Sequence, residues 1–427
     1  MEPIAQFGSL MRCCLKKPSI PSLLILSMII GQPQSLKAQT EKPSWFKDVP
    51  SSEIIQWRRH IHQNPELSFE EVRTGQYVVD ILKSFGNIEV SRPTKTSVLG
   101  ILQGAKEGKK VAYRADMDAL PIQEATGLSF ASQVKKTSHA CGHDAHTAML
   151  LGTAATLSKM QKEIKGTVYF LFQHAEELPP GGAIEIVQSD ALSGVDAIFG
   201  MHVIPDFPVG HIGLLPDHEA STASDVMELK IIGKGSHGSM PHLGIDPVVI
   251  GAEIVTALQT IVSRNVLPGE LTVISVGKFQ SGDVANVIPE FAELAATIRT
   301  TSAETRLLVE KRIKTIVQNI VEAHGAKYEL DYITGYPSVV NSPELNDLVG
   351  QSAAKVLGED HVFHAPMMTA SEDFARYRDI APICFSILGV GKGPANHNPG
   401  FNIDEAALEN GVRAQVQTIL DFLNKGI

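Results

Sequence analysis

Short β-branched apolar runs alternate with stretches of helical periodicity from residue 98 onward, and this alternation narrows the fold more than any other feature. The runs at 98–103, 110–114 and 166–173 have the length and composition of buried strands, and a helix is predicted over 147–159 between them. Strands separated by helices make a sheet covered on both faces, an α/β arrangement. Upstream, Ile54, Ile55, Trp57 and Ile61 give 52–62 one apolar side, with Ser51 or Ser52 as cap and Pro65 as stop. A second helix is predicted over 69–85, ended by Gly86.

The texture changes near Leu215-Pro216. A strand is predicted at 225–233, a helix at 246–264, strands at 271–280 and 291–300, and a long helix at 302–324. Two helices with about four strands form an α+β unit of about 115 residues, the size of a small domain. After Tyr336-Pro337 the first texture returns, with a helix over 342–357 and a strand over 384–390. The expected organisation is a main α/β domain in two parts, 45–215 and 334–427, with helices on both faces of a mixed sheet. An α+β satellite at 216–333 interrupts it.

Residues 1–40 read as a leader. Lys16 and Lys17 precede an apolar run at 20–30, and a polar stretch ends near Ala38-Gln39. Cationic, apolar and small-residue regions in that order predict a cleavable signal and a secreted or periplasmic protein. The run is shorter than the roughly twenty residues that span a bilayer, so no stable membrane insertion is expected after cleavage; an uncleaved anchor is the alternative. Cys13 and Cys14 would leave with the signal, and Cys141 and Cys384 would remain. The net charge of −10 excludes nucleic-acid binding that relies on a basic surface.

Groups able to bind metal or move protons are concentrated in a few places. The densest is Ser138-His139-Ala140-Cys141-Gly142-His143-Asp144-Ala145-His146. Cys141 and His143 are two apart, so in an extended segment they leave the same face and can chelate one ion. A thiolate beside an imidazole suits zinc or a late first-row metal. Asp116 and Asp118 follow the strand at 110–114, and the carboxyl ends of strands are where open α/β sheets place ligands. Glu176 and Glu177 follow another strand, with Gly181-Gly182-Ala183 able to open a helix beyond; one could hold an ion and the other act as a base. His202 follows the apolar run Ala197-Ile198-Phe199. His397 sits in the turn-rich Ala395-Asn396-His397-Asn398-Pro399-Gly400, and His237 and His242 lie in a Gly/Ser loop of the satellite.

These segments, together with Ser371-Glu372-Asp373-Phe374, resemble the M20 metallopeptidase family, and more narrowly its amidohydrolase branch of hippurate hydrolases, N-acyl-amino-acid amidohydrolases and auxin-conjugate hydrolases. The match runs in order from about Ile54 to the C-terminus. The resemblance implies two divalent metal ions (zinc, manganese, cobalt or nickel) held by Cys141, His143, Glu177, His202 and His397, with Glu176 as general base. Asp116 and Asp118 stand at the family's His-x-Asp position, whose second acid orients a metal-bound histidine. His237 would polarise the scissile carbonyl, often across a homodimer formed by the satellite. Asn286 would contact substrate, and Arg299 would hold a carboxylate.

Two positions depart from that branch. His174 stands where proline is usual, and Ser236 where glycine is usual. The function implied is hydrolysis of the amide bond in N-acyl amino acids or short peptides. A binding protein on the same fold without turnover, and a cysteine hydrolase using Cys141 and His143, are the rival readings.

Overall fold

Residues 42–425 are described by a computed structural model, so the predicted signal lies outside the described residues. Helices α1 (Ser51–Gln63) and α2 (Val72–Ser84) precede strands β1 (Glu89–Ser91), β2 (Val98–Gln103) and β3 (Lys106–Asp116). Helix α3 (His143–Lys159), strand β4 (Lys165–Gln173), helix α4 (Gly182–Gln188) and strands β5 (Ala197–Ile204) and β6 (Ile212–Leu214) follow. Next come β7 (Ala223–Ile232), β8 (Ser236–His237), α5 (Pro247–Arg264), β9 (Thr272–Gln280), β10 (Val287–Ile288), β11 (Phe291–Thr300), α6 (Ala303–Ala323) and β12 (Lys327–Thr334). The chain ends through α7 (Pro343–Leu357), β13 (Val362–His364), β14 (Ile383–Gly389) and α8 (Ala407–Asn424).

The main sheet has eight strands in the order β1-β2-β4-β3-β5-β14-β6-β13. It is mixed: β4, β3, β5 and β14 run parallel to one another, while β2 and β6 pair antiparallel to this centre. The two-residue period of a strand sends successive side chains to opposite faces. Val111, Tyr113 and Ala115 of β3 therefore join the core under α3 and α8, whereas Ala112 joins Leu171, Ile198 and Phe385 on the other face. Each large apolar side chain buried this way is worth roughly 1.5–3 kcal/mol. Because the central strands run parallel, their carboxyl ends share one edge of the sheet, where Asp116 and Gln173 terminate β3 and β4.

Helix α3 begins at His143, four residues before its predicted start. Fifteen of its seventeen residues are buried, so no polar face sets its period, and three of the four residues of its first turn are His143, Asp144 and His146. Helix α2 begins at Val72 rather than 69, which leaves Glu71 outside it and free to point inward.

The satellite sheet is antiparallel, in the order β12-β7-β11-β9. Met227, Leu229 and Ile231 of β7 pack against Ile254 and Leu258 of α5 and Val309 and Ile313 of α6. The opposite face carries Ser224, Val226, Thr297 and Arg299. Thr297 pairs with Val226 and Arg299 with Ser224 across the β7–β11 ladder, so the four form one patch. Strand β8 pairs with β10 as a separate two-stranded ribbon.

Candidate metal centre

Cys141 and His143 converge through a turn, not through the extended segment expected from their spacing. Gly142 has φ 96°, and α3 starts immediately after it. A Cβ at residue 142 would lie 2.3 Å from Cγ2 of Val203, so glycine is required both by the left-handed backbone and by the approach of β5. Asn396 ties the loop from the other side, its amide donating to the Cys141 carbonyl at 3.0 Å. The His397 N–H donates to the Ala140 carbonyl at 2.7 Å.

The two glutamates follow β4 in a tight reversal. Ala175 has φ 49°, and the Gly182 amide donates to its carbonyl at 2.9 Å. A Cβ at Gly182 would lie 1.9 Å from the His174 carbonyl oxygen, so α4 starts directly against the turn. The Glu177 N–H donates to Asp118 Oδ2 at 2.9 Å, and the Tyr336 hydroxyl donates to the Glu176 carbonyl at 2.8 Å. His174, at the proline position of the resemblance, turns away, with Nδ1 3.4 Å from Thr94 Oγ1 and Nε2 3.2 Å from Glu185 Oε2.

All five residues proposed as ligands meet. The donor atoms of Cys141, His143 and His202 lie within 4.8 Å of one another, as do those of Cys141, Glu177 and His397. Cys141 Sγ is 3.4 Å from His202 Nε2, and His397 Nε2 is 3.2 Å from Glu177 Oε1. The outer nitrogens are fixed: His143 Nδ1 is 3.1 Å from Asp118 Oδ1, and His202 Nδ1–H donates to the Val203 carbonyl at 2.9 Å. Nε2 of each ring is left facing the cluster, the arrangement metal-binding histidines adopt. His143 Nε2 is buried without a hydrogen-bond partner, and Glu177 Oε1 has the His397 and His143 ring nitrogens 3.2 and 3.8 Å away. Buried polar atoms are normally paired, so an orphaned imidazole nitrogen among a thiol, a carboxylate and two further imidazoles fits one or two divalent cations.

Two neighbouring clusters do not fit a cation. His146 Nε2 accepts from the Val203 amide at 2.9 Å, and its Nδ1 lies 2.6 Å from Asp116 Oδ1, so neither nitrogen is free. Asp373, beside Glu176 and Glu372, takes Arg114 and Gln173 on Oδ1 and Gln173 and the Ala183 amide on Oδ2. Both are internal braces. Asp116 and Asp118 are likewise buried, Asp116 against His146 and Arg114 and Asp118 against His143, Ser68 and the Glu177 amide.

Charge follows the same plan. Burial pushes the Cys141 thiol well above its usual range, and Glu177, Glu176 and Asp116 push it further. A cysteine nucleophile needs the opposite, a depressed thiol in cationic surroundings, which counts against the cysteine-hydrolase reading. Burial, and then the neighbouring His146, lower the pKa of the His202 imidazole well below its usual range. For Glu176, burial followed by the charges of Glu372 and Glu177 raises the carboxyl well above the carboxylate range.

A cavity of about 430 Å³ opens over the centre. Cys141, Glu176, Glu177, His202 and His397 line it on the main-sheet side, and Ser224, Val226, Thr297 and Arg299 on the satellite side. Arg299 is half-buried and, among the described residues, bonds to Thr297 Oγ1 and the Ile298 carbonyl. His237 and Asn286 are exposed on the β8–β10 ribbon, where the Gly238 amide donates to the Asn286 carbonyl at 2.8 Å; neither lines the cavity. Sequence reasoning missed Glu71, Tyr336 and Asn396 as parts of the site. Only Asn396, beside His397, carried a signal in its motif.

The described geometry has clear relatives. The chain is 50% identical over 297 residues to an N-acyl-L-amino acid amidohydrolase of Geobacillus stearothermophilus, covering 70% of this chain and 80% of that protein. It is 40% identical over 357 residues to an N-acetylcysteine deacetylase of Bacillus subtilis, covering 83% and 93%. A crystal structure of a Bacillus subtilis dinuclear metal binding peptidase of the M20 family superposes with a TM-score of 0.77 at 36% identity, covering 87% of this chain and 98% of that one. The sequence pattern of peptidase family M20/M25/M40 matches residues 112–421, the stretch that supplies every donor of the centre, and the chain belongs to that family of amide-bond hydrolases.

Proposed function

We propose that the protein removes the acyl group from N-acyl amino acids, or cleaves short peptides, with Glu176 as general base. The observation that carries this reading is the position of Glu176: it lines the cavity beside the ligand Glu177, while its backbone is held between Asp118 and Tyr336. Cys141, His143, Glu177, His202 and His397 would hold two divalent cations, which polarise a carbonyl and lower the pKa of water when bound. Glu176 takes the proton of the attacking water and returns it to the leaving amine. Asp116 and Asp118 keep the histidines oriented, and Arg299, across the cavity, receives the substrate carboxylate.

His237 and Asn286 reach a cavity only if a second copy presents them. Val248, Val249, Phe279, Val284, Val287 and Phe291 are exposed on the satellite, and β9 is an open sheet edge. Both features support a homodimer through this domain. Sedimentation showing a monomer at working concentration would remove that role for His237. The leader at 16–30 supports export; N-terminal sequencing of exported protein should start near residue 40.

The deciding experiment is Glu176→Gln assayed on a panel of N-acyl amino acids, with metal content measured in parallel. Turnover should fall about a hundred- to ten-thousandfold with metal content unchanged. Full activity would remove Glu176 as base, and no turnover of any substrate by the wild-type chain would favour a binding protein.

A further inference from the structure

We propose that Glu71 is a positioning residue for the base, acting as a buried acceptor that holds the reversed turn from which Glu176 projects. The proposal rests on the reading of Glu176 as base.

Glu71 precedes α2 and is fully buried. Its Oε1 accepts from the Ala175 amide at 2.7 Å and from the Phe69 amide at 3.1 Å. Both donors belong to residues with positive φ: 49° at Ala175 and 68° at Phe69. Side chains other than glycine visit that region at a cost, and such a conformation persists only where its surroundings over-determine it. At Ala175 the surroundings are explicit. Glu71 takes the amide, and the Gly182 amide takes the carbonyl. Phe69 adds an edge-to-face contact with the His174 ring, centroids 5.5 Å apart.

The turn sets the course of the backbone into the base. Ala175 adjoins Glu176, and the next amide, that of Glu177, is held by Asp118. The base thus sits between two backbone amides held by buried carboxylates, that of Ala175 by Glu71 from before α2 and that of Glu177 by Asp118 from after β3. Asp118 also touches His143, so its loss would disturb the metal ligands directly. Glu71 accepts its hydrogen bonds from Phe69 and Ala175, neither of them a proposed ligand. It is the anchor that sets the direction of Glu176 without belonging to the metal cage.

The test uses the full chain loaded with metal. Glu71→Leu removes the acceptor at similar volume, while Glu71→Gln keeps an acceptor oxygen. Glu71→Leu should lower kcat about a hundredfold, the effect of displacing a reacting group by about 1 Å, with KM and metal stoichiometry unchanged. Glu71→Gln should stay within a few-fold of wild type. In a Glu176→Gln background, Glu71→Leu should add no further loss, which separates this proposal from the assignment of the base itself. An unchanged kcat in Glu71→Leu overturns the proposal. So does an equal loss in Glu71→Gln, a parallel loss of metal, or a fully additive effect in the double variant. Should Glu71→Leu not fold, Glu71→Asp withdraws the carboxylate by one methylene, and an unchanged kcat in that variant overturns the proposal equally.

Discussion

Asp118 Oδ1 lies 3.1 Å from Nδ1 of His143, and this contact decides which nitrogen of the ring faces the centre. Burial disfavours ionisation of Asp118, yet its bonds to His143, Ser68 and the Glu177 amide outweigh burial and lower its pKa. Removing the carboxylate frees the ring to turn and leaves the Glu177 amide unpaired. Asp118→Ala should weaken metal binding about ten- to a hundredfold, read by competition with a chelator. Undiminished affinity would mean that the ring is held by packing alone.

Arg299 is a guanidinium in the cavity wall with neutral oxygens as its partners. Burial lowers its pKa, with only a Coulombic pull from Asp225 opposing, so an incoming carboxylate would meet an uncommitted cation. A hydrogen bond between charged groups contributes roughly 1.5–3 kcal/mol, so Arg299→Ala should raise KM about ten- to a hundredfold for an N-acyl amino acid. The corresponding primary amide, which lacks the carboxylate, should show little change. Equal effects on both would assign Arg299 to the shape of the cavity rather than to carboxylate binding.

The metal donors were legible because each sits in a short motif at a strand end or helix start, where apolar runs break into polar residues. The spacing of Cys141 and His143 fits an extended backbone equally well, whereas the chain uses a left-handed Gly142, which spacing alone does not distinguish. Helix α8 repeats Leu408, Val412, Val416 and Ile419 at helical spacing but follows a loop read for its histidine. Strand β12 alternates Tyr328, Leu330 and Tyr332 on a sheet edge, where half the pattern faces solvent. Glu71 was not legible. Its bond to Ala175 joins positions 104 residues apart, and such a contact leaves no period in the sequence. Carboxylates before a helix are usually solvated caps, and only the true start of α2 turns this one inward.

Gly142 offers a test of the turn. Gly142→Ala brings a Cβ to 2.3 Å from Val203 Cγ2 at φ 96°, and valine in a buried strand cannot yield far. The substitution should cost about 1–3 kcal/mol of stability from backbone strain and should lower metal content by displacing Cys141 from His143. Thermal melting and elemental analysis read the two effects. A stable, fully loaded variant would show that β5 gives way.

His62 supplies a pH dependence separate from catalysis. Its Nδ1 lies 2.9 Å from Asp144 Oδ2 and its Nε2 3.3 Å from Glu124 Oε1. Burial opposes the cation, but Asp144 and Glu124 outweigh it and raise the pKa to about 9 despite Arg58 nearby. The folded state therefore binds this proton more tightly than the unfolded chain does. The resulting stability is complete below about pH 6.5 and is lost as pH rises through about 9. The shift corresponds to an amount on the order of 3 kcal/mol. The depression of Glu124 to about 2 in part reflects the same attraction felt by its partner, and to that extent adds no second contribution. Urea midpoints of metal-loaded protein should fall between about pH 6.5 and 9.5, and His62→Gln should flatten that fall while lowering stability at the acid end. A fall of the same size in the variant would assign the alkaline loss to other groups.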